Sequence, residues 1–387
     1  MSQPDSLLMY RVDLTVTNGG TRRVRVALTG TATDAQNTVA ALLHCGQPLD
    51  LIGEAPGEEL LLTIDSTEWP TWLMVRFNNG EAAPVPAGDI ADRILGILTR
   101  KQLDEPSVVP RLHAAALADE DGRTVVLLGD SGAGKSTLAA HLVASGLDLV
   151  SDEQIAVHAN AESVSGFTRP IAVKPGGTEH LPLHVDPLAG SQGYTALLGP
   201  QTLGAHHRLA GRPALVVALD RSDQALTGIE ATPLSAPAAF QTLAANNLDM
   251  ERLPTEACES FAALAAKVPA VTLRYESSAQ AAQLVQGLLA APPPGPSASW
   301  SVSSAEPENG RGPEGVPGPT RSAEAITVRF DNTAVLYHRA TRTVVELNES
   351  ATTLWAGLPG IEVSDDIRPF LEELHTVGFV TGFTARS

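Results

Sequence analysis

The sequence is poor in cysteine and has no long apolar run, and each shortage excludes a class of protein. Its two cysteines, Cys45 and Cys258, lie far apart and in no CxxC spacing, so neither a disulfide framework nor a cysteine zinc site is indicated. No stretch of about 18 apolar residues is present to span a bilayer. The N-terminus lacks the basic start and apolar core of a secretory signal, so we expect a cytoplasmic protein with no membrane partner.

Positive charge and aromatic side chains are scarce as well. Lysine and arginine total 26 against 44 aspartate and glutamate residues, which gives a formal net charge of -18, and aromatic residues make up 4% of the chain. Nucleic acids attract positively charged surfaces, and exposed bases stack on aromatic rings. We therefore expect no nucleic-acid partner.

The chain is long and its apolar content is ordinary. Hydrophobic residues make up 43% of the 387 residues, which is enough for packed cores and argues against a disordered chain. This length exceeds one ordinary core, so about two or three domains are expected. We divide the chain into a β-rich region with one helix over 1–105, an α/β domain over 106–290, a disordered Pro/Gly/Ser linker over 291–323 and a small domain over 324–387.

Hydrophobic periodicity predicts the elements within these regions. Alternating polar and apolar residues predict a hairpin of strands at 10–16 and 23–28, because Asn18-Gly19-Gly20 supplies turn chemistry between them. Apolar residues at helical spacing predict a helix over 89–102. Further strands are predicted at 59–64, 72–77, 113–118, 124–128, 147–150, 213–219, 326–330, 334–338 and 341–347, and further helices at 137–145, 235–246, 256–267, 277–290, 349–358 and 366–378.

A phosphate-binding motif lies between one of these strands and the helix that follows it. The segment Gly129–Ser136 matches GxxxxGK[ST] in full, and its Lys135 is one of only four lysines in the chain. The flanking strand and helix are the context that a P-loop requires. The sequence therefore predicts that the chain binds a nucleoside triphosphate, most simply ATP.

Each part of the motif has a chemical role. Glycines allow backbone N–H groups to turn toward phosphates, and the N-terminus of the following helix favours an anion. Lys135 is expected to reach the β- and γ-phosphates, and the Ser136 hydroxyl is expected to ligate Mg²⁺. The residues expected to contact the nucleotide are Gly129, Asp130, Ser131, Gly132, Ala133, Gly134, Lys135, Ser136 and Thr137.

Three further features are candidates for chemistry. Asp152 and Glu153 follow the next apolar strand, where two carboxylates could hold Mg²⁺ or accept a proton. The alternative is that the two residues form only a solvated turn or a helix N-cap. His113 lies among small apolar residues, which suits either a catalytic group or a satisfied core histidine. Asp220 ends the strand at 213–219 and competes as the magnesium-side carboxylate, as in ordinary P-loop ATPases.

These motifs together resemble the HPr kinase/phosphorylase catalytic domain and its relatives. The resemblance rests on Leu112-His113, on Gly129–Ser136 and on Val150–Glu153, and it is best over 110–175. It implies a phosphoenolpyruvate-carboxykinase-like fold in which the acidic pair supplies the base for phosphorylating a protein serine. Asp152 or Glu153 would be that base, His113 and Lys135 would share the active site, and Ser136 with the acidic pair would hold Mg²⁺.

The sequence departs from that family at one of these positions. The family pair is usually Asp-Asp, whereas this chain has Asp152 followed by Glu153, so the identity of the base stays open. The segment Gly166–Lys174 resembles divergent HPr-kinase-like proteins of peptide-modification gene clusters. In that case Arg169 and Lys174 could stabilise the charge of the transferring phosphoryl group, although a surface ion pair would look the same.

The C-terminal domain resembles the PqqD-like peptide-recognition domains of ribosomal-peptide maturation systems. The match rests on Tyr337–Ala351, Leu354-Trp355, Phe370–Leu374 and Val377–Val380. It implies a winged-helix-like α+β domain that binds a leader peptide as an extra strand on the sheet edge within 326–347. Only a short segment separates Leu358 from the last helix, where the family has room for another helix.

The predicted fold class is therefore α/β, with a P-loop kinase core of the HPr kinase and phosphoenolpyruvate-carboxykinase-like type. A β-rich N-terminal region and a small winged-helix-like α+β domain flank this core. The predicted function is ATP- and Mg²⁺-dependent phosphorylation of a Ser or Thr hydroxyl in a ribosomally synthesised precursor peptide. A nucleotide-responsive peptide-binding protein and a small-molecule kinase stay open as alternatives, as does a homo-oligomer.

Overall fold

The structure is a computed structural model of the 387-residue chain. It describes residues 109–166, 169–182, 195–220, 228–305 and 319–382. In the N-terminal region it describes the backbone of the strands at 8–17, 21–30, 58–66, 72–77 and 82–86, together with residues 92, 93, 95 and 96. Within these described ranges no helix has the length and apolar character needed to cross a bilayer.

The N-terminal strands form their own sheet. Its described strands are paired in chain order, and they are β1 (Leu8–Thr17), β2 (Thr21–Gly30), β3 (Glu58–Ser66), β4 (Trp72–Phe77) and β5 (Ala82–Pro86). Strands β1 and β2 are antiparallel, with Thr17 opposite Thr21, so the predicted hairpin is confirmed. Most of the helix predicted over 89–102 lies outside the described residues, although 92, 93, 95 and 96 are helical.

The largest sheet mixes parallel and antiparallel strands. It contains β6 (Arg111–Leu112), β7 (Ala115–Ala118), β8 (Arg123–Leu128), β9 (Asp148–Ser151), β10 (Ile155–Val157), β11 (Val164–Gly166), β14 (Ala210–Leu219), β15 (Glu230–Pro233) and β16 (Ala270–Arg274). Strand β14 runs parallel to both β8 and β16. A separate pair of strands is formed by β12 (Ile171–Val173) and β13 (Ala196–Leu198).

One predicted strand is interrupted. The apolar run at 113–118 predicts a continuous strand, but β7 begins only at Ala115. The backbone N–H of His113 donates to the Asn246 carbonyl at 2.8 Å, and that of Ala114 donates to the Glu153 carbonyl at 3.2 Å. Because these two amides bond outside the β7 ladder, the chain bends at His113.

Helices cover both faces of the large sheet. They are α1 (Lys135–Ala144), α2 (Pro175–Thr178), α3 (Ala236–Ala245), α4 (Pro254–Lys267) and α5 (Ser278–Ala290), with short 3-10 turns at Ala159–Ala161 and Pro200–Leu203. Along β8, Val125 and Leu127 share a core with α1 and α5, whereas Val126 and Leu128 share a core with α3 and α4. This period of two is what a strand buried on both faces requires. The helices predicted at 137–145, 235–246, 256–267 and 277–290 are confirmed within a few residues.

The C-terminal part forms a smaller antiparallel sheet with helices. Its elements are β17 (Trp300–Ser304), β18 (Thr320–Arg321), β19 (Ala325–Phe330), β20 (Thr333–His338), β21 (Val344–Leu347), α6 (Glu349–Gly357), α7 (Arg368–Thr376) and β22 (Val380–Thr381). The strand order is β17-β19-β20-β21. Val328 and Tyr337, on one face, are buried in the same core as α3 and α4, and Leu336 on the other face packs with Trp355.

The prediction of a disordered linker over 291–323 is wrong for Trp300–Ser304. These residues form β17, which pairs antiparallel with β19 and places Trp300 opposite Phe330. Trp300 and Val302 alternate with serines and pack against the core that α4 shares with the C-terminal sheet. The alternation contains only two apolar residues and is surrounded by proline, glycine and serine, so the sequence alone did not indicate a strand here.

A buried ion pair joins β6 to the segment after α3. The guanidinium of Arg111 donates to the carboxylate of Asp249 from Nε and from Nη2, each at 2.6 Å, and the backbone N–H of Arg111 adds a third bond at 2.9 Å. Both side chains are 1% exposed. A bidentate pair of this kind is stable only while both charges are present.

Replacing one partner of this pair should destabilise the fold strongly. We expect Asp249→Ala to lower the free energy of unfolding by about 3–5 kcal/mol, because it removes the buried carboxylate that accepts three hydrogen bonds from Arg111. Urea denaturation followed by circular dichroism measures the loss. The matched control is Glu324→Ala, which removes the half-exposed partner of Arg339 and should cost less than about 1 kcal/mol. Similar losses for the two variants would contradict this account of the pair.

Candidate active site

The loop between β8 and α1 carries the glycine-rich motif. Strand β8 ends at Leu128 and α1 begins at Lys135 with Gly134 as its N-cap, so the predicted strand–loop–helix context is confirmed. Gly134 has a φ of 93°, in the left-handed region that glycine tolerates. A Cβ atom there would also lie 2.7 Å from the Tyr275 hydroxyl oxygen. The backbone of the loop therefore requires glycine at this position.

Two lysines contact this loop. The Lys135 ammonium donates to the carbonyl oxygens of Gly129 at 2.5 Å and of Asp130 at 3.2 Å. Burial lowers the pKa of Lys135, and the nearby charge of Lys174 acts in the same direction. The Lys174 ammonium donates to the Ser131 hydroxyl at 3.0 Å. Two ammonium groups on one glycine-rich loop give it the positive charge that phosphates require.

Asp152 lies directly after β9 and is almost fully buried. Its Oδ2 accepts hydrogen bonds from the Ser136 hydroxyl at 3.1 Å and from the Ala172 backbone N–H at 2.9 Å. Asp152 is 3% exposed, and this burial raises the pKa of its carboxyl group to about 7. The start of α1 and the end of β9 thus bring the Ser136 hydroxyl and the Asp152 carboxylate together.

Glu153 is oriented differently from its neighbour. Its side chain is 39% exposed, and its carboxylate lies 3.8 Å from His113 Nδ1 and 3.6 Å from Arg169 Nη1. Burial lowers the pKa of His113, and the charge of Lys135 lowers it further. A neutral imidazole beside Glu153 is the state that these effects favour near neutral pH. The two adjacent carboxylates therefore face different chemical surroundings.

These groups line one cavity of about 550 Å³. The predicted site residues that line it are His113, Asp130, Ser131, Gly132, Gly134, Lys135, Ser136, Thr137, Asp152 and Glu153. Gly129 and Ala133 are in the loop but do not line the cavity; the Gly129 N–H donates to Asn246 Oδ1, and the Ala133 carbonyl accepts a bond from Tyr275. Arg169 and Lys174, proposed from the sequence as phosphoryl-stabilising residues, also line it.

The donor set of this cavity fits a magnesium–nucleotide complex. Mg²⁺ is usually held by one or two carboxylates together with substrate phosphates and water. Asp152 Oδ1 is buried and has no hydrogen-bond partner within the described residues. The same part of the chain contains no group of three His, Cys, Asp or Glu residues arranged to hold a metal. A cation held by Asp152 and Ser136 would take its remaining ligands from phosphate oxygens and water.

Asp220, the competing carboxylate, lies elsewhere. It follows β14, the parallel neighbour of β8, but its Oδ2 accepts a 2.7 Å bond from Arg274 Nε. Asp220 is not among the residues that line the cavity. Its carboxylate is therefore engaged by an arginine, whereas that of Asp152 contacts the P-loop.

Sequence reasoning assigned no chemistry to three polar residues of the cavity wall. These are Asp92, Arg93 and Thr195. Asp92 lies 3.7 Å from Arg169 Nη2, so Arg169 contacts carboxylates on two sides. Asp92 and Arg93 belong to the segment with helical spacing at 89–102, and their charge is the one feature of the sequence that could have drawn attention to them.

Together the fold and the site define a mixed α/β protein with a P-loop. The sequence matches no protein-family model and no curated protein. Among solved structures, the chain is similar to the Hpr(Ser) kinase/phosphatase from Coxiella burnetii, at 14% sequence identity and a TM-score of 0.26. The match covers 46% of this chain and 93% of that one. A likeness of this degree carries no functional argument.

The raised pKa of Asp152 gives a testable pH dependence. Its ordinary value is 3.8 and the folded value is about 7. Between these values the unfolded chain loses this proton while the folded chain keeps it, so the group's contribution to stability is present below the unfolded pKa and is lost as the pH rises. Asp152→Asn removes this titration. We compare the free energy of unfolding of the wild type with that of the variant at each pH. The wild-type value minus the variant value should fall by a few kcal/mol between about pH 4 and 7, at ~1.4 kcal/mol per pKa unit.

Urea denaturation of both proteins across that pH range makes the comparison. Taking the difference cancels the titration of groups that the two proteins share. A difference that stays constant from about pH 4 to 7 would mean that Asp152 titrates normally in the folded chain, contrary to the effect of burial.

Proposed function

We propose that this chain is an ATP-dependent kinase that transfers the γ-phosphoryl group to a Ser or Thr hydroxyl of a ribosomally synthesised precursor peptide. One observation carries the proposal. Two adjacent carboxylates share a cavity with the P-loop lysine, and one of them contacts the P-loop serine while the other is exposed to the cavity. Phosphoryl transfer needs a metal-side carboxylate and a separate proton acceptor, and this pair would provide both.

Lys135, Lys174 and the backbone N–H groups of the loop would hold the phosphates. These positive charges would stabilise the negative charge that accumulates on the phosphoryl oxygens during transfer. Ser136 and Asp152 would hold Mg²⁺, which when bound would neutralise part of the phosphate charge. Arg169, itself 3% exposed, lines the same cavity beside Glu153 and would add a further positive charge.

Glu153 is the better candidate for the base. One oxygen of Asp152 is already bonded to Ser136 and Ala172, and the carboxylate is buried. Glu153 is partly exposed and held between His113 and Arg169, so it can meet an incoming hydroxyl. It would take the hydroxyl proton as the substrate oxygen bonds to the γ-phosphorus and the bond to the β-phosphate oxygen breaks, releasing ADP.

The C-terminal sheet would bind the leader of the peptide. Strand β17 covers the outer edge of β19, so the two edges of the described sheet are β17 and β21. Within 326–347, where the leader site is expected, only β21 offers an edge. The His338 N–H donates to the Thr343 carbonyl at 2.9 Å. Because bonded pairs alternate in an antiparallel ladder, the N–H groups of Val344 and Glu346 face away from β20 and could pair with a peptide.

Intact-mass spectrometry tests the transfer directly. The full chain is incubated with ATP, Mg²⁺ and Ser- or Thr-bearing precursor peptides, and we expect one added phosphate on the peptide. Glu153→Gln should lower kcat by about 10²–10⁴-fold while ATP still binds, because the proton acceptor is lost and the residues of the phosphate-binding loop are unchanged. Lys135→Ala should weaken ATP binding as well. Glu162→Gln, which changes an exposed glutamate outside the cavity, is the matched control and should behave as the wild type.

The alternative functions have distinct outcomes in the same experiment. ATP binding without any phosphopeptide would favour a nucleotide-responsive peptide-binding protein. ADP release that depends on Glu153, with a phosphorylated small molecule and an unchanged peptide, would favour a small-molecule kinase. Normal peptide phosphorylation by Glu153→Gln would contradict the assignment of the base.

A proline on the β21 edge tests the leader site. Glu346→Pro removes the backbone N–H that faces away from β20, whereas Glu346→Ala removes the same side chain, including its contact with Gln241, and keeps the N–H. We expect the proline variant to bind the precursor peptide about tenfold more weakly than the alanine variant, since one or two main-chain bonds are lost. Fluorescence anisotropy of a labelled leader peptide measures this ratio, and equal affinities would rule out strand addition at β21.

A further inference from the structure

Asn246, the C-cap residue of α3, contacts the P-loop from outside the cavity. Its Nδ2 donates to the Thr242 carbonyl at 2.9 Å, which fixes the orientation of the amide. Its Oδ1 therefore faces the Gly129 backbone N–H, from which it accepts a bond at 3.4 Å. Gly129 is the first residue of the P-loop, and its carbonyl accepts the bond from Lys135.

The backbone of Asn246 contacts a second segment of the site, the one that carries His113, which lines the cavity. Its carbonyl accepts the 2.8 Å bond from the His113 N–H. The next residue, Asn247, forms a β-bridge with Leu112, and two residues further on the buried carboxylate of Asp249 binds Arg111. The end of α3 is therefore attached both to the P-loop and to the segment that carries His113.

The same helix, α3, packs against the C-terminal sheet. Phe240 of α3 packs against Phe330 of β19, with ring centroids 6.0 Å apart. The Gln241 side chain donates to the carboxylate of Glu346 on β21. Phe240 and Asn246 are separated by less than two helical turns, which is about 9 Å along the axis. One rigid helix thus contacts the proposed leader-binding sheet and the P-loop.

We propose that Asn246 is a positioning residue for the P-loop and that α3 couples the C-terminal sheet to the nucleotide site through it. The side-chain amide holds the first glycine of the loop, and packing of the C-terminal sheet on Phe240 sets the position of the helix that bears this amide. A change in the sheet would then alter the loop through a contiguous chain of packed and hydrogen-bonded residues. The regulatory part of this inference rests on the proposed function of the same site.

Hydrogen–deuterium exchange of the full chain tests the positioning role without requiring activity. In Asn246→Ala we expect the peptide that contains Gly129 to exchange about three- to tenfold faster, as expected for the loss of one hydrogen bond. Asn246→Asp keeps an oxygen acceptor and should restore most of the protection. Asn247→Ala is the matched control, because the Asn247 side chain bonds only Ala244 and Met250 among the described residues. Equal exchange at Gly129 in all four proteins would overturn the proposal.

A double-mutant comparison tests the coupling. Phe330→Leu keeps an apolar side chain against Phe240 and should speed exchange at Gly129 when Asn246 is present, but not further in the Asn246→Ala background. An equal effect of Phe330→Leu in both backgrounds, or none in either, would overturn coupling through Asn246. The Kd for a fluorescent ATP analogue should follow the exchange rates. A chain with this exchange pattern that phosphorylates no peptide would contradict the proposed kinase function and leave the positioning role supported.

Discussion

The contact between the Ser136 hydroxyl and the buried Asp152 carboxylate is the interaction on which the site depends. Burying a carboxylate is costly unless its oxygens are satisfied, and here one oxygen accepts two bonds while the other has no hydrogen-bond partner within the described residues. The cost appears as a pKa of about 7. Keeping this buried carboxylate next to the P-loop serine lowers the stability of the folded chain. A divalent cation bound there would offset this loss of stability.

The elements around this contact hold its two residues in place. The P-loop follows β8, and Asp152 and Glu153 follow β9. Helices on both faces of the large sheet bury the apolar residues of these strands. On one face, α3 and α4 also share a core with the C-terminal sheet. The proposed leader-binding edge and the P-loop are therefore parts of one packed body.

Local features of the site could be predicted from the sequence, because their determinants are close together in the chain. The P-loop is defined by the spacing of Gly129, Gly134 and Lys135 and by an apolar strand before it. The different surroundings of Asp152 and Glu153 could not be predicted, since Asp152 contacts Ser136 and Ala172, which are 16 and 20 residues away.

Other features had no signal of their own in the sequence. Asn246 belongs to no motif, and its partner Gly129 is 117 residues distant. Strand β17 has only two alternating apolar residues in a segment rich in proline and serine, and it forms because β19 offers it a complementary edge. The bend at His113 likewise follows from long-range bonds to Asn246 and Glu153. Composition and periodicity report local preferences, and these elements are determined by tertiary contacts.

The central claim is that the metal and the phosphates bind at the Ser136–Asp152 side of the cavity. Anomalous X-ray scattering from crystals grown with Mn²⁺ and a non-hydrolysable ATP analogue tests it most directly. The account predicts a manganese peak within ligation distance of Ser136 Oγ and an Asp152 oxygen, with Glu153 facing the γ-phosphate. A peak beside Asp220, with Asp152 remote from the metal, would contradict it and indicate an ordinary P-loop ATPase arrangement.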